Sequence, residues 1–162
     1  MIKLIAAIDS KLGIATENGI PWDLPGDKRY FRDQTKDGII VMGYNTYKEF
    51  NGPLPGRKNY VILKDLSEKL RPGFLGVQDL SALNEEYPDI DLWVIGGAGI
   101  FASTISLADE LYLTQISANF NCSKFFPSFK QDFYLFQETK PITENHLVFR
   151  YQIWQRKQLI KR

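Results

Sequence analysis

Four short runs of nearly unbroken apolar residues constrain this chain more than any other feature: Ile2–Ile8, Ile39–Met42, Tyr60–Leu63 and Leu92–Ile95. None alternates apolar with polar residues, as a strand with one wet face would. Continuous runs of this length fit strands covered on both faces, the pattern of a mainly parallel sheet. A fifth run, Leu111–Ile116, follows the same logic. Helical segments fall between the runs, over Pro25 to Lys36, Thr46 to Phe50, Ser81 to Tyr87 and Ile100 to Leu107. Strand and helix alternate through residue 116, which predicts an α/β fold. The last third is rich in β-formers at Phe133–Gln137 and Leu147–Gln155, which predicts two antiparallel strands closing one edge. Pro53, Pro55 and Gly56 mark one turn, and Pro72 and Gly73 another.

The chain has 162 residues, the length of one ordinary domain, so residues 1–162 are expected to share one core. Twenty basic residues against 19 acidic ones give a net charge of +1 and no support for nucleic-acid binding. The basic tail, Arg156, Lys157, Lys161 and Arg162, reads as a solvated end. One cysteine, Cys122, and one histidine, His146, exclude a disulfide framework and a multi-histidine metal site, so no metal is expected. A Cys–His nucleophilic pair is formally possible, but a lone cysteine is more often a small buried hydrophobe. The first apolar run is too short for a signal peptide, and Asp9 ends it. No run approaches the ~18 apolar residues of a membrane span. These features suit a soluble cytoplasmic protein.

Four stretches carry candidate chemistry. In Pro21-Trp22-Asp23-Leu24-Pro25-Gly26-Asp27-Lys28-Arg29-Tyr30-Phe31, helical spacing puts Asp27 on one face with Tyr30 and Phe31. That face should look inward, and a carboxylate there needs a partner. Asp27 either pairs with an internal arginine or binds a flat amino-heterocyclic ligand. Asp23 is the expected helix cap. In Leu92-Trp93-Val94-Ile95-Gly96-Gly97-Ala98-Gly99-Ile100-Phe101-Ala102, a buried strand enters glycines and then a helix, where backbone N–H groups can approach a phosphate. Gly97, Gly99 and Ala102 match the spacing of the dinucleotide fingerprint, yet no acidic residue follows about 20 positions on, as that fingerprint requires. A tight structural turn explains the same glycines. Val41-Met42-Gly43-Tyr44-Asn45-Thr46-Tyr47 repeats the strand–glycine–helix pattern, with Asn45 or Thr46 as the expected cap. Two such turns suggest a dinucleotide spread over the carboxyl ends of parallel strands. In Pro53-Leu54-Pro55-Gly56-Arg57-Lys58-Asn59, a rigid turn presents Arg57, whose guanidinium suits a bidentate carboxylate clamp.

These four stretches, in this order and spacing, resemble dihydrofolate reductase over essentially the whole chain, and Tyr151-Gln152-Ile153-Trp154-Gln155 resembles a terminal strand of that family. The resemblance implies a central sheet of about eight strands, mainly parallel with an antiparallel C-terminal edge, and about four helices. It implies a monomer that reduces 7,8-dihydrofolate to 5,6,7,8-tetrahydrofolate with NADPH and binds antifolates.

Roles follow by position. Asp27 matches the acid that holds the pterin's 2-amino group and neighbouring ring nitrogen. Thr114 supports it, and Trp22 holds a nearby water. Ile5, Ala6, Phe31, Phe50, Leu54 and Ile95 match the substrate pocket, and Arg57 the clamp on the glutamate tail. Ala7, Ile14, Ile20, Gly43, Asn45, Thr46, Leu63, Gly96, Gly97, Ala98, Gly99, Ile100 and Phe101 match cofactor contacts, with Gly96-Gly97 at a cis peptide. The loop 9–24, with Gly13 and Gly19, is expected to act as a lid.

The chain departs from the family where Tyr44 and Gly99 replace frequent phosphate-holding arginines. Lys64 is expected to take the 2′-phosphate instead. Cys122 and Ser123 replace a Gly-Asp pair that bonds the closed lid in some relatives. Two other readings are a non-catalytic pterin- or nucleotide-binding module and a same-fold aminopyrimidine reductase of riboflavin synthesis.

Overall fold

The computed structural model describes residues 1–158; Lys161 and Arg162 of the basic tail lie outside them. The strands are β1 (Ile2–Ile8), β2 (Gly13–Ala15), β3 (Ile39–Gly43), β4 (Asn59–Ile62), β5 (Phe74–Val77), β6 (Leu92–Val94), β7 (Glu110–Ile116), β8 (Lys124–Phe125), β9 (Phe133–Glu138), β10 (Ile142–Glu144) and β11 (Leu147–Arg156). The helices are α1 (Pro25–Thr35), α2 (Tyr44–Glu49), α3 (Leu80–Glu86) and α4 (Ala98–Thr104).

One sheet runs in the order β10-β11-β7-β1-β6-β3-β4-β5, with β9 also paired to β11. The strands from β7 to β5 are parallel. β11 closes the far side, antiparallel to β7, β9 and β10.

The apolar runs are continuous because both faces of this sheet are covered. Successive residues sort into opposite cores. Ile39, Val41, Leu92 and Val94 pack with Leu80 and Leu83 of α3 and Phe101 of α4. Ile5, Ile40, Met42 and Trp93 pack on the other side with Tyr47 of α2, and Phe31 of α1 lies against them. This second core also holds Phe50, Leu54 and Ile95 at its margin, so part of its apolar surface is left for a ligand.

Three expectations are corrected. Asp23 does not cap α1: Leu24 precedes the helix without a side-chain cap, and Asp23 sits exposed beside Lys28 at 3.5 Å. The free Gly26 N–H donates instead to Glu144 Oε1 at 2.9 Å, a cap from 118 residues away. Neither Asn45 nor Thr46 caps α2, because the helix already begins at Tyr44 behind Gly43. The fourth helix starts at Ala98, earlier than Ile100, and gives way to a 3-10 turn over Ile105–Leu107.

The loop 9–24 is tied near its start to β8 and the residues after it. β2 pairs with β8, Ser123 N–H donates to Ala15 O at 3.0 Å, and Phe126 N–H donates to Leu12 O at 2.8 Å. Asp9 is 1% exposed and accepts from the N–H groups of Gly13 (2.7 Å), Lys11 (2.9 Å) and Phe120 (3.1 Å). Burial alone would raise its pKa, but these donors outweigh it and hold the carboxyl below the usual range. Cys122 packs so closely on Gly13 that a Cβ there would lie 2.5 Å from the cysteine Cβ. Among the described residues no helix is long and apolar enough to cross a membrane, and no group of three side chains is placed to hold a metal.

Candidate active site

The carboxyl ends of β1, β6 and β3 open into a cleft made of two adjoining cavities. The inner one, about 460 Å³, is lined by Ile5, Ala7, Ile20, Trp22, Leu24, Asp27, Lys28, Phe31, Thr46, Glu49, Phe50 and Ile95. The outer one, about 520 Å³, adds Ala6, Ile14, Gly43, Asn45, Gly97, Ala98, Gly99, Ile100 and Phe101. Ala7, Ile20, Trp22, Thr46, Glu49 and Ile95 belong to both walls. Two flat rings placed one in each cavity would therefore meet near Ala7 and Ile95.

Asp27 is the acid of the inner cavity. Its Oδ1 accepts from Thr114 Oγ1 at 2.6 Å across 87 residues. Burial pushes its pKa up, the Thr114 hydroxyl pulls it partly back, and Glu144 pushes it up again. The expected inward face of α1 is present: Tyr30 stacks on Tyr151 at 3.8 Å, and Phe31 lines the cavity beside Asp27. Trp22 packs edge-on against Phe120 at 5.2 Å, which fixes its ring where the two cavities adjoin.

Arg57 is pre-positioned. Its Nη1 donates to Thr35 Oγ1 at 2.8 Å and its Nε to Pro55 O at 3.0 Å. Thr35 is fully buried at the end of α1, so Arg57 and Asp27 are both tied to one helix. Burial lowers the Arg57 pKa and nearby Arg32 lowers it further, and among the described residues no carboxylate pairs with it. A guanidinium with open N–H donors and no acid suits an incoming carboxylate. Its turn is held by buried Asn59. That side chain accepts from Leu54 N–H at 2.9 Å and donates to the carbonyls of Leu54 and Arg57 at 3.0 and 2.9 Å.

In the outer cavity, the two glycine turns touch. Gly43 N–H donates to Gly96 O at 2.8 Å, and a Cβ on Gly43 would fall 2.4 Å from Ile100 Cγ1. The Gly96-Gly97 peptide is cis. A Cβ on Gly97 would face Thr46 Oγ1 at 3.5 Å, and one on Gly99 would meet nothing within 4 Å. This leaves bare backbone facing open space at the cavity wall.

The structure thus gathers most of the expected residues and leaves some outside the cavity walls. Leu54, Arg57 and Thr114 stand behind or beside the inner wall. Leu63 is buried in the second core, and Lys64 is exposed after β4, its carbonyl accepting from Gln78 Nε2 at 2.9 Å. Gly96 contributes through its backbone. Sequence reasoning missed Glu49 and Lys124 in the walls, Thr35 and Asn59 behind Arg57, and Glu144 behind Asp27. Asn59 closes the Arg57 stretch, but nothing in that stretch marks its side chain as the brace of the turn; the others lie outside the four stretches and reach the site through tertiary folding.

The dihydrofolate reductase family model matches residues 1–156. The dihydrofolate reductase of Bacillus subtilis (strain 168) is 35% identical over 136 residues, covering 81% of this chain and 78% of that protein. Segregation and condensation protein A of Mycoplasmoides gallisepticum is 34% identical over 160 residues; the match covers 97% of this chain but spans only 26% of that longer protein. A solved structure of dihydrofolate reductase from Enterococcus faecalis, complexed with NADP(H) and RAB-propyl, shares the fold with a TM-score of 0.86 at 24% identity, over 98% of this chain and 97% of its own.

Proposed function

The chain belongs to the dihydrofolate reductase family, and from that premise we propose that it reduces 7,8-dihydrofolate to 5,6,7,8-tetrahydrofolate with NADPH. The observation that carries the reading is the Asp27 carboxylate, bonded by Thr114 and set in an apolar cavity that adjoins a second cavity walled by bare glycine backbone.

Asp27 accepts hydrogen bonds from the pterin's 2-amino group and adjacent ring N–H, and so fixes the ring in its plane. Thr114 keeps the carboxylate turned toward that edge. Ile5, Ala6, Phe31, Phe50, Leu54 and Ile95 exclude water and hold the ring and benzoyl group flat, and orientation of this kind accounts for much of the rate. Arg57 clamps the carboxylate of the glutamate tail. Asp27 faces the far edge of the ring, so the proton for the imine nitrogen arrives through a water held near Trp22.

The residues of the outer cavity fit a dinucleotide. Ala6, Ala7, Ile14 and Phe101 in its lining suit a flat ring, Asn45 and Thr46 add polar groups, and its volume lies within the usual range for ligand pockets, roughly 300–1,000 Å³. NADPH, when bound, supplies the hydride. Ala7, Ile14, Ile20, Gly43, Asn45, Thr46 and the Gly96–Phe101 turn would hold it, with Leu63 contributing backbone alone. Lys64 would meet the 2′-phosphate from the end of β4. Lys64→Ala is therefore expected to raise the KM for NADPH about tenfold, as loss of one charge-assisted bond does, and to leave that for NADH nearly unchanged. Equal changes in both would remove Lys64 from this role.

The same reading makes the protein a cytoplasmic monomer that binds antifolates. Absorbance of NADPH tests the reaction: steady consumption is expected with dihydrofolate and none with a ribosylated aminopyrimidine. The reverse pattern would assign the site to the sister reductase.

A further inference from the structure

We propose that Lys124 is the cation of the outer cavity and binds the diphosphate that NADPH and NADH share, an inference that rests on the nucleotide reading above. Among the described residues, only two charged side chains line this cavity, Glu49 and Lys124. Glu49 also lines the inner cavity, whereas Lys124 lines the outer one alone. No described carboxylate lies within ion-pair distance of Lys124. An anion entering the outer cavity therefore meets one available ammonium group.

The fold fixes the backbone that carries this exposed lysine from two sides. β8 pairs with β2, bringing Lys124 opposite Ala15, itself part of the cavity wall. Two residues on, Phe126 is buried against Phe101 at 5.0 Å, and Phe101 is also part of the wall. Residues two apart along an extended chain point to the same side, so anchoring Phe126 turns Lys124 toward the cavity.

The diphosphate is the anion both nicotinamide cofactors carry, so the assignment differs in its signature from the role given to Lys64. Titration of the intact protein with NADPH and with NADH, followed by quenching of tryptophan fluorescence, reads both dissociation constants without turnover. Lys124→Gln is expected to weaken both by about tenfold, the usual loss for one charge-assisted bond. It should also flatten the fall in affinity with added salt. Lys124→Arg should restore most of the affinity. Unchanged constants in Lys124→Gln would overturn the proposal, and so would a loss confined to NADPH, which would put the lysine on the 2′-phosphate. A parent protein that binds neither nucleotide would instead overturn the reading of the cavity itself.

Discussion

Asp27→Asn is expected to lower kcat for dihydrofolate about 10²- to 10³-fold at neutral pH, in the range typical of a lost acid–base or polarising group. The amide keeps the shape and can still accept the 2.6 Å bond from Thr114, but it loses the charge that holds the pterin edge. The pH profile separates this from a folding defect. Burial sets Asp27 above the usual carboxylate value of 3.8, so kcat/KM should fall as the pH drops through that raised value, where the acid becomes protonated. The variant has no such limb. Linkage gives a second sign. A carboxyl whose pKa is raised on folding contributes stability that is fully present below its unfolded value and is lost as pH rises through the folded one. An asparagine cannot ionise, so the variant should melt no lower than the parent at neutral pH. Unchanged kinetics would remove Asp27 from the mechanism, and a collapsed melting temperature would make its role structural.

Arg57→Ala is expected to raise the KM for dihydrofolate roughly 10- to 100-fold, because a charge-assisted pair with a carboxylate contributes about 1.5–3 kcal/mol. The loss should disappear with a reduced-pterin substrate that lacks the glutamate tail. Equal losses on both substrates would argue that Arg57 only braces Thr35 and the Pro53–Gly56 turn. Its two internal bonds, to Thr35 and to Pro55, make that alternative concrete.

The parallel core was legible because burial on both faces leaves a pattern that needs no partner to interpret. Ile39–Gly43 is buried at every position, and the run of apolar residues says so directly. The acid and its helix face were legible for a similar reason, since a 3.6-residue period places Asp27, Tyr30 and Phe31 together. β5 was missed: Phe74–Val77 is short and contains Gly76, which makes sense only once Leu63 is packed against it. β2 and β8 are too short to carry a period, and they pair only with each other. The Glu144 bond to Gly26 and the Asn59 bonds that hold the Arg57 turn are long-range or non-periodic contacts. The same limit hid Lys124, an exposed lysine by sequence that becomes part of a cavity wall only through the β2–β8 pair.

The most direct test of the central claim is product analysis on the purified protein with dihydrofolate and NADPH. One tetrahydrofolate formed for each NADPH consumed is the expected result. Protein that binds an antifolate and NADPH, yet forms no tetrahydrofolate and leaves NADPH intact, would contradict it and make this cleft a binding site without the reaction.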